Sequence, residues 1–387
     1  MNRRFKLASP RGHPYSCPQD WAAKQSCRTP LSNRPAKERS FLLVHGSAEL
    51  PSVSIDGYSL EVEDKDGFAG DRANKQAFTR ILDELREALR ESGEDPLGSK
   101  PTEEISRAKL GELLSKGAAE KAAVVLSAIE SFAQELKEVT SKFLRLKSWR
   151  DTECIVVGGG FRDSRVGELA IARTNILLKG QGMAVDMQLL EGDPDEAALR
   201  GTAHLLPSWM LEGRDAMLAV DIGGTNIRVG IVELNLGKAN DLSKSKVLEM
   251  KLWCHREDEH IKRDEAVDKL VAMLETFHER ARKDRLSLLP VIGVGCPGVI
   301  RADGTIAAGT QNLPGNWESS NFHLPDEIRK RIPKIDDHET TVILHNDAVV
   351  QGLSQIPRMH ERRRWGIFTI GTGLGNARFT ANGKSKE

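Results

Sequence analysis

Residues 218–233, LAVDIGGTNIRVGIVE, constrain this chain more than any other stretch. An apolar strand runs into a polar glycine turn, and a second apolar strand returns beside the first. Gly223 and Gly224 carry no Cβ, so the tip can expose its amides and let a phosphate oxygen approach. Asp221 closes the first strand, and Thr225 and Asn226 complete the turn. A carboxylate beside a phosphate cradle repels the phosphate itself and suits a hydrated magnesium ion held through water. An ordinary Gly-Gly hairpin, with Asp and Asn chosen for turn geometry, explains the same letters and stays open at this point.

With 387 residues and 39% apolar side chains, the chain can bury two domain cores. Lys plus Arg and Asp plus Glu both total 56, so nothing in the balance favours nucleic acid or an anionic membrane surface. A soluble, cytoplasmic protein is expected. The five cysteines, Cys17, Cys27, Cys154, Cys254 and Cys296, show no C-x-x-C spacing, so no structural zinc is expected.

Residues 1–50, rich in Arg, Ser and Pro, read as a disordered basic tail. A half-buried strand is predicted over 55–63, with Tyr58, Leu60 and Val62 on one face, and a helix over 77–89. A polar loop with Pro96 and Pro101 precedes a long helix over 118–146. A short strand, 154–157, then meets Gly158, Gly159 and Gly160, whose amides would open the helix at 166–178 and could hold a nucleotide. A tight strand-to-helix turn is the plain alternative. The charged segment 253–283 reads as a solvated helix over 263–282, and His255 and His260 are spaced wrongly for a metal pair on one helix face.

Gly293, Gly295 and Gly298 satisfy G-x-G-x-x-G on paper. That fingerprint needs a helix to open at the glycines; Pro297 and the Asp303-Gly304 turn predict a hairpin instead. Residues 310–322, TQNLPGNWESSNF, supply amides, hydroxyls and an indole suited to sugar hydroxyls, or simply a capped surface loop. In TVILHNDAVVQGL a buried strand ends near Leu344 and a helix starts at Asn346-Asp347. Asp347 there is either an N-cap or a catalytic carboxylate.

Taken together, DIGGTN, GTGLGNARF near the end of the chain and CIVVGGGFRDSR before the hairpin resemble the first phosphate, second phosphate and adenosine motifs of the ROK sugar kinases. The resemblance implies an α/β protein with the two-lobed ribonuclease H-like, or actin-like ATPase, fold. The motifs stand in the wrong order, adenosine first, which implies a circular permutation. Residues 51–212 would form most of the C-terminal-type lobe, 213–357 the N-terminal-type lobe, and 358–387 the returning first hairpin. Gly201 would fall where the final helix needs a small residue.

Carried over residue by residue, the resemblance makes Asp347 the base in ATP-dependent phosphorylation of a sugar hydroxyl. Gly223, Gly224, Thr225 and Asn226 would face Gly371, Thr372 and Gly373 across the phosphates, while Gly158–Gly160 hold the adenosine end. Asp221 would orient Mg²⁺ through water, and Asn312, Asn346 and Gly298 would lie at the sugar. One departure stands out: the family's Glu-x-Gly-His element is replaced by Ile55-Asp56-Gly57-Tyr58. A silent sugar or nucleotide sensor and a polyphosphate-dependent glucokinase are the alternatives; a ROK-type repressor is disfavoured because 1–50 lacks a helix-turn-helix pattern. The implied partner is a small sugar, with no nucleic acid or membrane and with a homodimer left open.

Overall fold

The computed structural model describes residues 43–383, except Asp66 and Glu259. Its strands of four residues or more are β1 (Val53–Tyr58), β2 (Cys154–Gly158), β3 (Asp186–Leu189), β4 (Ala216–Ile222), β5 (Asn226–Glu233), β6 (Lys246–Cys254), β7 (Leu288–Cys296), β8 (Thr341–Asn346), β9 (Arg364–Ile370) and β10 (Leu374–Ala381). The helices of seven residues or more are α1 (Lys75–Ser92), α2 (Arg107–Lys116), α3 (Ala119–Arg145), α4 (Arg165–Gly180), α5 (Pro194–Gly201), α6 (Arg263–Lys283), α7 (Leu324–Arg331) and α8 (Asp347–Leu353).

Two five-stranded sheets result, ordered β1-β10-β9-β2-β3 and β6-β5-β4-β7-β8. In the second, β4, β5 and β6 form an antiparallel meander, and β7 and β8 add in parallel beside β4. The first has the same pattern when the chain is read from β9 through β10 and then on from β1: two antiparallel pairings, then two parallel ones. The pairing of Val53 with Ala381 places β1 and β10 side by side within one sheet.

Period-two burial decides the layers. In β4, Leu218 and Val220 face α6, packing with Val267 and Leu270, whereas Met217 and Ala219 face the other way, toward Leu199 and Val350. α5 and α8 therefore lie between the sheets, sharing a core with Val156, Ile367 and Phe379 of the first sheet. α1, α3 and α4 cover that sheet's far face. The α5–α8 crossing is close enough that a Cβ on Gly201 would stand 1.8 Å from the Val350 carbonyl oxygen, so the small residue expected there has a steric reason. All described residues belong to one compact unit.

Four expectations need correction. The tail assigned to 1–50 lies outside the described residues over 1–42, but 43–50 is packed. Gly46 donates to the Leu344 carbonyl, His45 Nδ1 accepts the Leu344 N–H, and Leu50 is buried. Strand β1 stops at Tyr58, after a register irregularity between Ile55 and Gly57, because Ser59 takes a positive φ of 50°. Its buried face is Val53, Ile55 and Gly57. The polar loop after α1 contains a helix, α2, with only Leu110 fully buried. His255 is not on a solvated helix; it is buried, and its Nε2 lies 2.8 Å from the Gly223 carbonyl oxygen.

Candidate functional site

A cavity of about 570 Å³ opens between the sheets, and both glycine turns reach it. One connects β4 to β5 through Gly223, Gly224 and Thr225; the other connects β9 to β10 through Gly371, Thr372 and Gly373. Thr225 Oγ1 and Thr372 Oγ1 are 2.8 Å apart, so a hydroxyl bond joins the two turns. Gly223 N–H is used inside its own turn, by the Asn226 carbonyl, and Gly371 N–H by that of Gly373. The amides of Gly224, Thr225, Thr372 and Gly373 have no protein acceptor among the described residues. Free amides on two facing tips are what a phosphate group requires. Asn226 is the first residue of β5 and also lines the cavity.

Two carboxylates stand beneath these turns. Asp347 is the first residue of α8 and half-buried; the N-cap is Asn346, whose Oδ1 accepts Val349 N–H, so capping does not account for Asp347. Asp347 Oδ1 accepts the N–H of Ala348. Burial first, and then the charge of Asp221, push its carboxyl up to about 7. Asp221 is buried as well and raised by that burial, with Arg228 opposing the shift. Gly295 leaves the room for this pair, since a Cβ there would lie 3.5 Å from Asp221 Oδ1 and 3.6 Å from Asp347 Cα.

Arg228, not anticipated from the sequence, pairs with Asp221 across the β4–β5 ladder, Nη1 to Oδ2 at 3.1 Å, and reaches Asp195 of α5 through Nη2 at 2.6 Å. The hairpin register contained the signal: the four residues 223–226 between Ile222 and Ile227 set those two opposite each other and hence Asp221 opposite Arg228. Asp221 Oδ1 has no hydrogen-bond partner among the described residues.

On the acceptor side, Asn312 is exposed at the cavity, close under Gly224, and Asn346 and Gly298 also line it. Asn346 Nδ2 donates to the Gly298 carbonyl at 3.0 Å, tying the start of α8 to that loop. Gly298 has a φ of 94°, and a Cβ would meet the Ala308 carbonyl at 2.1 Å; no helix opens after β7, and Ile300 bridges Ile306 in the expected hairpin. Trp317 is fully buried, donating to the Pro314 carbonyl, and so does not offer its ring to a sugar. Tyr58 Oη is engaged by the backbone of Ile300, and Asp56 by Arg378 and Thr380. The wall nearby is instead shaped by Asn376, whose amide bonds both backbone groups of Leu60.

The triple glycine departs from its expected role. Gly158 is the last residue of β2, boxed in by Gln351 and Leu190, and does not line the cavity. Gly159 N–H donates to Gln351 Oε1, and four residues separate Gly160 from α4, whose start is capped by Ser164. None of the amides of Gly158, Gly159 and Gly160 opens that helix; Gly159 and Gly160 serve as a thin cavity wall. Beside them, also unforeseen, is Lys75, held down to about 8 by burial and then by the charges of Arg107 and Arg228.

No family model matches the chain, and no curated protein does. Among solved structures it is similar to a ROK family glucokinase from Streptomyces griseus determined with glucose and AMPPNP, at 20% identity over 43% of this chain and 45% of that one, TM-score 0.31. A protein of Cytophaga hutchinsonii with a provisional sugar-kinase assignment matches at 17% identity, 42% and 47% coverage and TM-score 0.32. An exopolyphosphatase from the same organism matches at 18%, 48% and 55%, with TM-score 0.22. The chain thus spans about half the length of the sugar kinases it matches. At such scores these likenesses do not place it in a family. No helix among the described residues is long and apolar enough to cross a membrane.

Proposed function

We propose that this protein transfers a terminal phosphoryl group, from ATP in the first instance, to the hydroxyl of a sugar, with Asp347 as the base. One observation carries the reading: a raised, half-buried carboxylate opens into the same cavity as two glycine turns bonded to each other through Thr225 and Thr372. Phosphoryl transfer needs positioning and charge stabilisation more than covalent chemistry, and these parts supply both. Asp347 would take the proton of the acceptor hydroxyl as its oxygen bonds to phosphorus and the bond to the bridging oxygen breaks. The four free amides would hold the phosphate oxygens.

A divalent cation fits the donor set. The unbonded Asp221 Oδ1, near a second carboxylate that its charge perturbs, suits a hydrated Mg²⁺, which would neutralise phosphate charge. We further read the chain as a permuted actin-like ATPase, with one lobe formed by 51–212 together with the returning hairpin of 358–387 and the other by 213–357. The shared strand order of the two sheets supports this.

The test is ADP release over a panel of sugars with ATP or linear polyphosphate as donor, and Asp347→Asn as control. Sugar-dependent release that Asp347→Asn abolishes supports the reading; equal turnover by that variant removes Asp347 from its role. The engagement of Asp56 and Tyr58 elsewhere favours a second reading, a non-catalytic sensor. Thermal shifts with sugars but no phosphorylation by any donor would select it.

A further inference from the structure

Helix α1 begins at Lys75, and its first turn carries no acid. The positive end of a helix ordinarily attracts Asp or Glu, so a lysine there adds charge that the helix itself does not call for. Lys75 N–H donates to the Gly371 carbonyl at 3.0 Å, fixing the residue against the second glycine turn. Its ammonium reaches the other way: a Cβ on Gly160 would lie 3.0 Å from Nζ. The charge therefore spans the wall between the 371–373 turn and Gly159-Gly160, facing the cavity.

Arg107, the first residue of α2, does not line the cavity but is close enough for its charge to act on Lys75, with its guanidinium 5.7 Å from the Phe161 ring centroid and Nη1 buried without a partner. Neither side chain has an ion pair or a hydrogen bond among the described residues. Asp163 acts on Arg107, and Asp195 on Lys75, only at longer range, and Asp195 is already held by Arg228. A half-buried cation without a counter-ion is unfavourable, and the depressed pKa of Lys75 reflects this. The unbonded amides beside it are donors too. Unbonded amide donors and the unpaired Lys75 ammonium on one wall suit an anion with several oxygens in a row, although Asp71 and Asp163 also line the cavity.

We propose that Lys75 binds the non-bridging oxygens of the donor's phosphoanhydride chain, on the leaving-group side of the transferred phosphoryl, with Arg107 strengthening the field. The assignment rests on the reading of the cavity as a phosphoryl-donor site and adds to it a residue that no glycine motif contains. Charge moves onto the leaving phosphate during transfer, and an ammonium placed there stabilises it. The ligand chemistry is two or more linked phosphates, which a nucleoside diphosphate and linear polyphosphate share.

The experiment is calorimetric titration of the full chain, Lys75→Gln and Lys75→Arg with ADP, AMP and linear polyphosphate, alongside thermal melts. Wild type should bind ADP, polyphosphate or both. Lys75→Gln should weaken that binding about tenfold to a hundredfold, the range of a lost charge-assisted contact, while AMP changes little and Lys75→Arg retains most of the affinity. Loss confined to polyphosphate would support the assignment and name the donor. Equal binding by Lys75→Gln, or equal losses for AMP and ADP, would overturn the role of Lys75 and leave the cavity a donor site. Wild type binding neither ligand would overturn both. If Lys75→Gln melts early, Lys75→Met provides the same ADP-to-AMP comparison.

Discussion

Thr225 Oγ1 and Thr372 Oγ1 meet at 2.8 Å although 147 positions separate them in the chain. Each belongs to the turn of a different sheet, so this one bond fixes the spacing of the two amide-bearing tips. Thr225→Val should lose the bond while keeping shape, lowering stability by only about 1 kcal/mol. The KM for the phosphoryl donor should rise severalfold, with the sugar KM little changed. Steady-state kinetics with each substrate varied in turn checks this, and an unchanged donor KM would mean that the turns hold their spacing without it.

Asp347 should set the pH profile. With its carboxyl at about 7, the base form, and with it the rate, grows through neutral pH and levels off above it. Its folded value exceeds the unfolded one, so its contribution to stability is full below about pH 4 and is lost as pH rises through about 7. Asp347→Asn should therefore lose about two to four orders of magnitude in kcat, yet melt a few degrees higher than wild type at pH 8 and no higher at pH 4. Melts at the two pH values separate these effects.

Arg228 answers two acids at once, Asp221 at 3.1 Å and Asp195 at 2.6 Å. Arg228→Met should leave Asp221 buried without its partner and remove about 3–5 kcal/mol near pH 8. Burial already raises Asp221, and without Arg228 it rises further, so the neutral acid becomes tolerable in acid. The deficit should shrink between pH 8 and pH 5. Urea melts at both values would show it, and a constant deficit would assign the loss to packing.

Gly201→Ala should separate α5 from α8. A methyl 1.8 Å from the Val350 carbonyl cannot be absorbed by rotating a side chain, so a loss of about 1–3 kcal/mol or more is expected. Because the crossing lies between the sheets, donor affinity should fall with it; full affinity in a folded Gly201→Ala protein would argue against that route.

Much of this was legible in the letters, and the misses have physical causes. The β4–β5 hairpin, the 371–373 turn and the long helix Ala119–Arg145 announce themselves through strong local periodicity. Asp347 was legible because a buried strand ends at it. Helix α2 was not, since one fully buried Leu110 leaves almost no apolar stripe. Lys75 and Asp195 were invisible for another reason: each acquires its role from a partner more than 30 positions away, Gly371 or Arg228, and no local pattern encodes such a meeting. The triple glycine misled because the turn it makes is real, while its amide is spent on Gln351.

The pairing of β1 with β10 has a consequence for biosynthesis. A ribosome that has extruded everything through Arg363 has released both outer portions of the first sheet and still retains its two middle strands. Until those emerge, β1 and β2 lack the neighbours that cover their hydrogen-bonding edges, and one side of the cleft has no glycine tip. The second sheet, complete by Asn346, can settle first and template its counterpart, so acquisition of phosphate affinity should wait until β9 and β10 have emerged.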